Sequence, residues 1–268
     1  MVIHIAIEGI DGVGKTTQAI KLVKFFHKKN YRVAYLNQPH NNDIIYILQN
    51  RKLSNDQIAL LMAVDRSITY YENNFSNLDI VVWDKSILSS YAYNTDKKVN
   101  KEFIKNINRY FPPMDLYIII QSDKILRKQD YTNTSDIIHK YEKLMQGNDN
   151  IASVDYIPNK KDEVFENIVK KCFEYLPKCN WCGRIFTKST KNKKYCSSKC
   201  RKYAREEQNR ENNRNYYNRY KDTLTERTKG QLGSKNANLH GKADKDIEKE
   251  KRKVKNAMKS IGLKSRIP

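Results

Sequence analysis

The sequence lacks any long hydrophobic run. No apolar stretch of its 268 residues approaches the roughly 20 that an α-helix needs to span a bilayer. Its first residues, MVIH, lead into a strand pattern rather than a signal peptide. We therefore expect a soluble, cytoplasmic protein that does not use a membrane as a partner.

Acidic residues are scarce in the last third of the chain. From Lys178 to the end there are 27 Lys and Arg against 9 Asp and Glu, whereas residues 1–177 hold 24 against 21. The first two thirds are close to neutral, which is typical of a globular domain. The cationic remainder favours a polyanionic partner, nucleic acid before membrane, although a solvated, partly disordered tail would carry the same charge.

Glycine is also scarce, yet three of the nine glycines fall within residues 9–14. The stretch GIDGVGKT at residues 9–16 matches G-x-x-x-x-G-K-[ST] between an apolar strand pattern and a helical one. In such a P-loop the backbone N–H groups surround phosphate oxygens, Lys15 reaches the β- and γ-phosphates, and the Thr16 hydroxyl can bind Mg²⁺. We expect ATP and Mg²⁺ as cofactors. The expected nucleotide-binding residues are Gly9, Asp11, Gly12, Val13, Gly14, Lys15, Thr16 and Thr17.

Strand and helix patterns alternate over residues 1–177, which indicates an α/β fold with a parallel sheet covered on both faces. Asp84 ends the third strand pattern, where a carboxylate beside the P-loop can hold Mg²⁺, although a cap or turn residue would give the same pattern. The predicted strands are 2–7, 32–36, 79–83, 116–121 and 153–157, and the predicted helices include 16–29, 55–71, 89–93 and 161–175.

Four segments in order resemble the thymidylate kinase family of P-loop nucleoside monophosphate kinases. Residues 7–18 match I-E-G-x-D-G-x-G-K-T-T-Q, residues 60–66 resemble L-L-F-A-A-D-R, residues 84–93 resemble D-R-Y-x-x-S-S-x-A-Y, and residues 112–120 resemble the family's P-D-L strand. The resemblance implies transfer of the γ-phosphoryl group of ATP to a deoxynucleoside monophosphate, most commonly thymidylate. The family commonly dimerises, which leaves a homodimer through this domain open.

The same resemblance implies roles for individual residues. Asp11 would approach the sugar 3′-hydroxyl, Arg66 would contact the base, and Tyr93 would pack under the deoxyribose with Ser90 nearby. The acceptor phosphate is already anionic, so charge neutralisation and alignment carry the rate and no strong base is needed. The expected catalytic residues are Asp11, Lys15, Asp84, Lys85 and Arg127.

The chain departs from the family pattern at the charged positions. Lys85 stands where the family has arginine, so a single ammonium replaces a bidentate guanidinium. Asn37 and Gln38 replace an arginine and a glutamate. Gly12 stands where some members carry an arginine, so by analogy the short lid segment should supply a cation, for which Arg127 and Lys128 are the candidates. Each lost charge-assisted contact is worth about 1.5–3 kcal/mol.

Cysteine is rare outside one cluster. Four of the five cysteines form Cys179-x₂-Cys182 and Cys196-x₃-Cys200, while Cys172 lies on a predicted helix as a core residue. Two such pairs can direct four sulfurs at one structural Zn²⁺, with disulfides or redox thiols as the alternative. The pattern resembles small treble-clef-like or ribbon-like zinc fingers.

Within this predicted finger at residues 178–202, Gly183, directly after the first cysteine pair, suits a knuckle turn. Two short strands are predicted at residues 184–186 and 193–195, where they would carry a small apolar core.

Residues 201–227 contain no Pro or Gly, so we expect a helix that continues from the last cysteine. Cations suit phosphates and aromatic rings suit bases, which predicts DNA or RNA contact through residues 184–268. Interleaved glutamates would equally suit a solvated helix, and the remainder of the tail, 203–268, is expected to stay partly disordered without a partner. The predicted cation and ring stripe comprises Arg210, Arg214, Tyr217 and Lys221.

Three interpretations follow from these patterns. The first is a thymidylate kinase-like enzyme with an accessory nucleic-acid-binding module. The second is a nucleic-acid-binding protein whose divergent kinase-like domain is an ATP-binding switch or a catalytically weak relic. The third makes the zinc finger a protein-docking module.

Overall fold

The computed structural model describes residues 2–122, 134–187, 190 and 192–220. The chain divides into two compact units, Met1–Leu176 and Pro177–Pro268. Within the described residues, no helix combines the length and the apolar character that crossing a membrane requires.

The first unit is built on a five-stranded parallel sheet with the order β2-β3-β1-β4-β5. Every residue of the central strand β1 is buried, so its near-continuous apolar sequence matches a strand that is covered on both faces. Because all pairings are parallel, the carboxyl ends of the strands meet at one edge of the sheet. The strands are β1 (Ile3–Gly9), β2 (Val33–Asn37), β3 (Ile80–Asp84), β4 (Leu116–Gln121) and β5 (Ile151–Asp155).

Helices connect the strands and cover the sheet. Helix α1 buries Ala19, Leu22 and Phe26 on one face, which is the apolar spacing seen in the sequence. Helix α3 begins at a capping box between Ser54 and Gln57. The helices of this unit are α1 (Lys15–Lys28), α2 (Asn42–Asn50), α3 (Asn55–Glu72), α4 (Ile87–Asn94), α5 (Lys101–Ile107), α6 (Thr134–Met145) and α7 (Lys161–Tyr175).

The predicted α/β fold with its parallel sheet is confirmed, but the predicted last strand is displaced by two residues. Pairing with β4 begins at Ile151 and ends at Asp155, and the Tyr156 N–H then donates to the Gln121 carbonyl at the end of the ladder. The apolar side chains of Tyr156 and Ile157 continue the strand pattern beyond the point where pairing stops. Helices α2, α5 and α6 had not been predicted.

The second unit is organised around the cysteine cluster. Cys179 N–H donates to the Arg184 carbonyl and Gly183 N–H donates back to the Cys179 carbonyl, with Gly183 at φ 70°. The two short strands predicted at 184–186 and 193–195 are not observed among the described residues, where Lys178 and Ile185 form a single antiparallel bridge. Phe186 N–H also donates to the Pro177 carbonyl and Asn180 N–H to the Lys194 carbonyl, without forming a strand ladder.

A long helix follows, α8 (Ser198–Tyr220), so the predicted helix is observed as far as the structure describes it. Cys200 lies in its first turn. Cys179, Trp181 and Phe186 form a small core, and Tyr203 at the base of α8 packs against it.

Candidate functional site

The loop between β1 and α1 has the geometry of a phosphate-binding loop. Gly9, Gly12 and Gly14 adopt φ values of 136°, 95° and 85°, and a Cβ at Gly9 would collide with the Ile120 carbonyl oxygen. Gly14 precedes α1 and no side chain caps that helix. The N-terminal N–H groups of α1 therefore face a site suited to an anion.

Three charged side chains meet inside this loop. Lys15 Nζ donates to the Ile10 carbonyl at 2.8 Å and to Asp11 Oδ1 at 3.0 Å, and Lys85 Nζ lies 3.4 Å from the same Asp11 oxygen. Burial alone would raise the pKa of Asp11, but Lys85 and Lys15 outweigh it and hold that pKa below its ordinary value. Burial, together with Lys85, lowers the pKa of Lys15. Asp11 thus partners two ammonium groups at the place where phosphates are expected.

Asp84 has one occupied and one open oxygen. Its Oδ2 accepts hydrogen bonds from Thr16 Oγ1 at 2.5 Å and from the Tyr35 hydroxyl at 3.1 Å. Its Oδ1 is buried and has no hydrogen-bond partner within the described part of the chain. A buried, unpartnered carboxylate oxygen next to a threonine hydroxyl fits a Mg²⁺ ligand.

Tyr35 is a site residue that the sequence reasoning missed. Burial and the neighbouring Asp84 both raise the pKa of this tyrosine, so its hydroxyl keeps its proton and donates. Parallel pairing of β2 with β3 sets Asn37 opposite Asp84, which places Tyr35, two residues earlier, on the same face.

Glu8 is a second missed residue, fully buried at the end of β1. It accepts hydrogen bonds from Ser86 N–H at 2.8 Å, from the Ser86 and Ser89 hydroxyls at 2.6 Å each, and from Tyr141 OH at 3.2 Å. Burial and the Glu8 carboxylate raise the pKa of Tyr141. The sequence signals were a carboxylate in a mostly apolar strand and its place in the I-E-G part of the family motif.

The same network fixes Lys85. This lysine occupies the left-handed region at φ 70°, and its N–H donates to the Ile7 carbonyl at 3.1 Å. Ser86, the next residue, is bound through both its N–H and its hydroxyl to Glu8. The backbone on both sides of Lys85 is therefore held by β1, which aims the ammonium group at Asp11.

Arg66 is fully buried and binds three polar partners. Its Nε donates to Asn108 Oδ1 at 2.7 Å, Nη2 donates to Ser90 Oγ at 2.9 Å, and Nη1 lies 3.4 Å from Gln38 Oε1. Burial lowers the pKa of Arg66 to about 10, which still leaves it charged at neutral pH. The structure thus brings Arg66 and Ser90, two of the expected substrate residues, into contact and adds Gln38 and Asn108 to them.

The remaining predicted residues lie around these groups. Tyr93 on α4 makes an edge contact with Tyr141, with ring centroids 6.5 Å apart. Thr17 is exposed in the first turn of α1. Arg127 lies outside the described residues.

Two cavities adjoin the loop. The larger, about 400 Å³, lies at the carboxyl ends of β1, β4 and β5 and includes Gly9, Tyr141 and Asp155 in its lining. The smaller, about 110 Å³, lies between residues 12–18 and the start of α7, where Tyr156 and Asn159 line it. Residues of the phosphate-binding loop, Gly9 and Ile10 in the first and Gly12 to Gly14 in the second, contribute to both linings.

The four clustered cysteines form a candidate metal centre in the second unit. Their Sγ atoms all lie within 4.8 Å of one another, with Cys182 and Cys196 3.6 Å apart and Cys196 and Cys200 3.5 Å apart. Four thiols converging in this way fit one tetrahedral Zn²⁺ ion. Cys172 is buried in the first unit, where burial raises the pKa of its thiol. That environment suits an inert core residue.

Comparison with known proteins agrees with the fold and with the P-loop. The thymidylate kinase family model matches residues 7–168. A probable thymidylate kinase of Methanosphaera stadtmanae is 33% identical over 192 residues, covering 62% of this chain and 97% of the relative. Probable thymidylate kinase 1 of Saccharolobus solfataricus is 33% identical over 182 residues, covering 62% and 94%.

A solved structure shares the fold. The crystal structure of thymidylate kinase from Ehrlichia chaffeensis aligns with a TM-score of 0.55 at 19% identity, covering 63% of this chain and 98% of that one. The family model spans more than half of the chain, and the relatives are matched over nearly their whole length. The chain therefore belongs to the thymidylate kinase family of nucleotide kinases.

Proposed function

We propose that the first unit transfers the γ-phosphoryl group of ATP to thymidylate, giving thymidine diphosphate. The observation that carries the proposal is the convergence of Lys15, Lys85 and Asp11 beside the Thr16–Asp84 pair at the α1 N-terminus. This arrangement supplies cations and N–H groups for phosphates together with an open carboxylate oxygen for Mg²⁺. Thymidylate as acceptor is supported by the names of the relatives.

On this proposal, Thr16 and Asp84 hold Mg²⁺, since Asp84 Oδ1 is buried without a partner in the described residues and the Thr16 hydroxyl is adjacent. When bound, the ion neutralises charge on the β- and γ-phosphates. Lys15 exchanges its Asp11 and Ile10 contacts for phosphate oxygens, and the α1 N–H groups hold the phosphates in place.

The acceptor lies on the Lys85 side of the loop. The Lys85 ammonium binds the thymidylate phosphate, and Asp11, released from Lys15, accepts a hydrogen bond from the sugar 3′-hydroxyl. Arg66 contacts the base, and Tyr93 packs under the deoxyribose with Ser90 nearby. Gln38 Nε2, buried without a hydrogen-bond partner among the described residues, adds a donor to this pocket. Arg127 would supply the remaining cation.

To test the proposal, the full-length chain is incubated with ATP, Mg²⁺ and each deoxynucleoside monophosphate in turn. The diphosphate products are then separated and measured. Thymidine diphosphate should form fastest. If another diphosphate forms fastest, the chain is still a nucleotide kinase, but its acceptor is not thymidylate. ATP binding without any diphosphate product would favour the ATP-binding switch instead.

We further propose that the second unit is an accessory nucleic-acid-binding module. Two observations support this proposal. Four thiols converge at the base of α8, where one Zn²⁺ would fix the helix, and residues 178–268 carry a large positive charge. In this proposal the finger covers 178–202 and the basic tail 203–268. Binding of a mixed DNA or RNA pool that weakens steeply with salt would support it, and binding of neither would contradict it.

A homodimer through the first unit is also proposed. Leu60, Val64 and Tyr71 lie on one side of α3 and are 45%, 49% and 66% exposed, and Tyr46 on α2 is 65% exposed. Large apolar side chains exposed at helical spacing suit a partner surface of the same kind. Sedimentation of the chain and of a Leu60→Asp, Val64→Asp variant tests this, since only the first should sediment as a dimer.

A further inference from the structure

Helix α8 is a long helix with an unusual distribution of polar groups. None of its residues from 198 to 219 is buried, although Tyr203 and Ala204 pack against the cysteine cluster at its base. At 23 residues it extends about 35 Å. Most residues of α8 from 211 to 219 are exposed, so this part of the helix presents polar groups to a partner.

The three acidic residues of α8, Glu206, Glu207 and the exposed Glu211, lie within an arc of about 140° around the helix. Glu206 lies 3.9 Å from Lys202, and Glu207 lies 3.7 Å from Arg210. The Arg210 side chain is only 15% exposed, so the cation and ring stripe expected at positions 210, 214, 217 and 221 begins with a cation that is paired and largely buried. Lys221 lies outside the described residues. That stripe is the weaker candidate for binding a polyanion.

The opposite side of α8, which we name the acid-free face, carries cations, amides and a tyrosine. Its members follow one another at intervals of three or four residues, and each is exposed. Within the part of the chain that the structure describes, Arg201, Arg205 and Arg219 form no ion pair. The acid-free face comprises Arg201, Arg205, Gln208, Asn212, Tyr216 and Arg219.

The order of residue types along the acid-free face indicates which nucleic-acid groups it could contact. Two arginines stand at the start and one at the end, while the middle holds Gln208, whose Nε2 donates to Asn212 Oδ1 at 3.1 Å. Arginines alone would suffice to bind phosphates, and phosphate contacts do not read the base sequence. Asparagine and glutamine are the side chains that pair with adenine in the major groove, and arginine pairs with guanine there. An α-helix fits that groove, which is about 12 Å wide.

We propose that the acid-free face of α8 binds the major groove of duplex DNA and reads its sequence through Gln208 and Asn212. Arg201, Arg205 and Arg219 then contact phosphates or guanine at the two ends of the face. This inference rests on the nucleic-acid-binding role proposed above and gives it a partner class, duplex DNA, and a recognition element. The Zn²⁺ site at the base of α8 fixes the direction in which the helix enters the groove.

The test is selection of duplexes from a random-sequence pool by the full-length, zinc-loaded chain, followed by binding measurements on the selected and scrambled duplexes. We expect enrichment of a short sequence that contains adenine, bound at least about ten-fold more tightly than its scrambled form. Single strands of the same sequence should bind more weakly than the duplex.

Two asparagines on α8 provide a matched comparison. Asn212→Ala removes an amide from the acid-free face, whereas Asn218→Ala removes one from an exposed position on another side of the same helix. The first should reduce discrimination between the selected and scrambled duplexes about ten-fold, and the second should leave it unchanged. Equal discrimination by the two variants would overturn the inference.

A matched pair of triple variants tests the arginines. The first variant removes the three arginines of the acid-free face: Arg201→Gln, Arg205→Gln, Arg219→Gln. It should reduce the steepness of the plot of log affinity against log salt concentration by about two to three. A control triple variant removes the same charge from exposed positions of the first unit: Arg51→Gln, Lys52→Gln, Lys105→Gln. This control should change the salt dependence of DNA affinity little. The same slope for both triple variants contradicts the inference.

The outcomes separate this inference from the role on which it rests. If the chain binds no DNA or RNA, the nucleic-acid role and the inference both fail. If it binds any strand equally, with no enriched sequence, only the reading of duplex DNA by α8 fails.

Discussion

The Tyr35 hydroxyl lies 3.1 Å from Asp84 Oδ2 and donates a hydrogen bond to it across neighbouring strands. Thr16 donates to the same oxygen, and the other oxygen of Asp84 is buried without a partner in the described residues. Tyr35 therefore orients the carboxylate that we assign to Mg²⁺.

Tyr35→Phe should weaken Mg²⁺ binding because Asp84 loses one of the two groups that orient it. One hydrogen bond of about 1 kcal/mol corresponds to roughly a five-fold higher Mg²⁺ concentration at half-maximal turnover. The exposed Tyr46→Phe is the matched control. An unchanged Mg²⁺ dependence in both variants would remove Tyr35 from the site.

Lys85→Ala should raise the KM for thymidylate by about ten- to a hundred-fold and leave the KM for ATP nearly unchanged, because a charged contact to the acceptor phosphate is worth about 1.5–3 kcal/mol. Lys85→Arg should restore thymidylate binding, since a guanidinium can bind the same phosphate. Steady-state kinetics with each substrate varied measures this. An equal rise in both KM values would place Lys85 on the ATP side.

Stability should depend on pH through His4. Burial lowers the pKa of His4 to about 4, and its Nδ1 accepts a hydrogen bond from Trp83 Nε1 at 3.0 Å, so the folded chain holds this histidine neutral. The unfolded chain binds a proton at its ordinary pKa of about 6.5. Stability is therefore full above pH 6.5 and falls as the pH drops towards 4, by about 2 kcal/mol at pH 5.

Urea unfolding at pH 7 and pH 5 measures this difference. His4→Asn should reduce the pH dependence of the unfolding free energy between these values. His139→Asn, at an exposed histidine on α6, should leave it unchanged. If the unfolding free energy of His4→Asn depends on pH as strongly as that of the wild type, groups other than His4 are responsible for the dependence.

The cysteine cluster should hold one zinc ion per chain. Cys179→Ser with Cys182→Ser should abolish the metal and lower the helical signal, because Cys200 lies in the first turn of α8 and Tyr203 of this helix packs against the cluster. Cys172→Ala, which changes the thiol outside the cluster, should keep the zinc. Metal analysis and circular dichroism measure both effects, and a wild-type chain without zinc would contradict the assignment.

The local signals in the sequence predicted much of the site. Gly9, Lys15 and Thr16 stand in one contiguous pattern whose chemistry depends on backbone N–H groups close in sequence. The four cysteines were predicted in the same way, from ligand spacing. Asp84 could be placed because parallel strands end at one edge of the sheet.

Residues that act through distant partners could not be predicted. Glu8 binds Ser86, 78 residues away, and Tyr35 binds Asp84, 49 residues away, so both depend on the register of neighbouring strands. The burial of Arg66 and its contact with Asn108 likewise need the packed structure. On α8, spacing alone favoured Arg210, and only the fold showed this side chain to be paired and largely buried.

The central claim is that the Lys15 site transfers phosphate from ATP to thymidylate. The most direct measurement is ³¹P NMR of full-length wild-type and Lys15→Ala chains with ATP, Mg²⁺ and thymidylate. The account predicts growth of the thymidine diphosphate resonances for the wild type, with a rate at least about a hundred-fold lower for Lys15→Ala. Equal rates for the two chains, or no thymidine diphosphate from a wild-type chain that binds ATP, would contradict it.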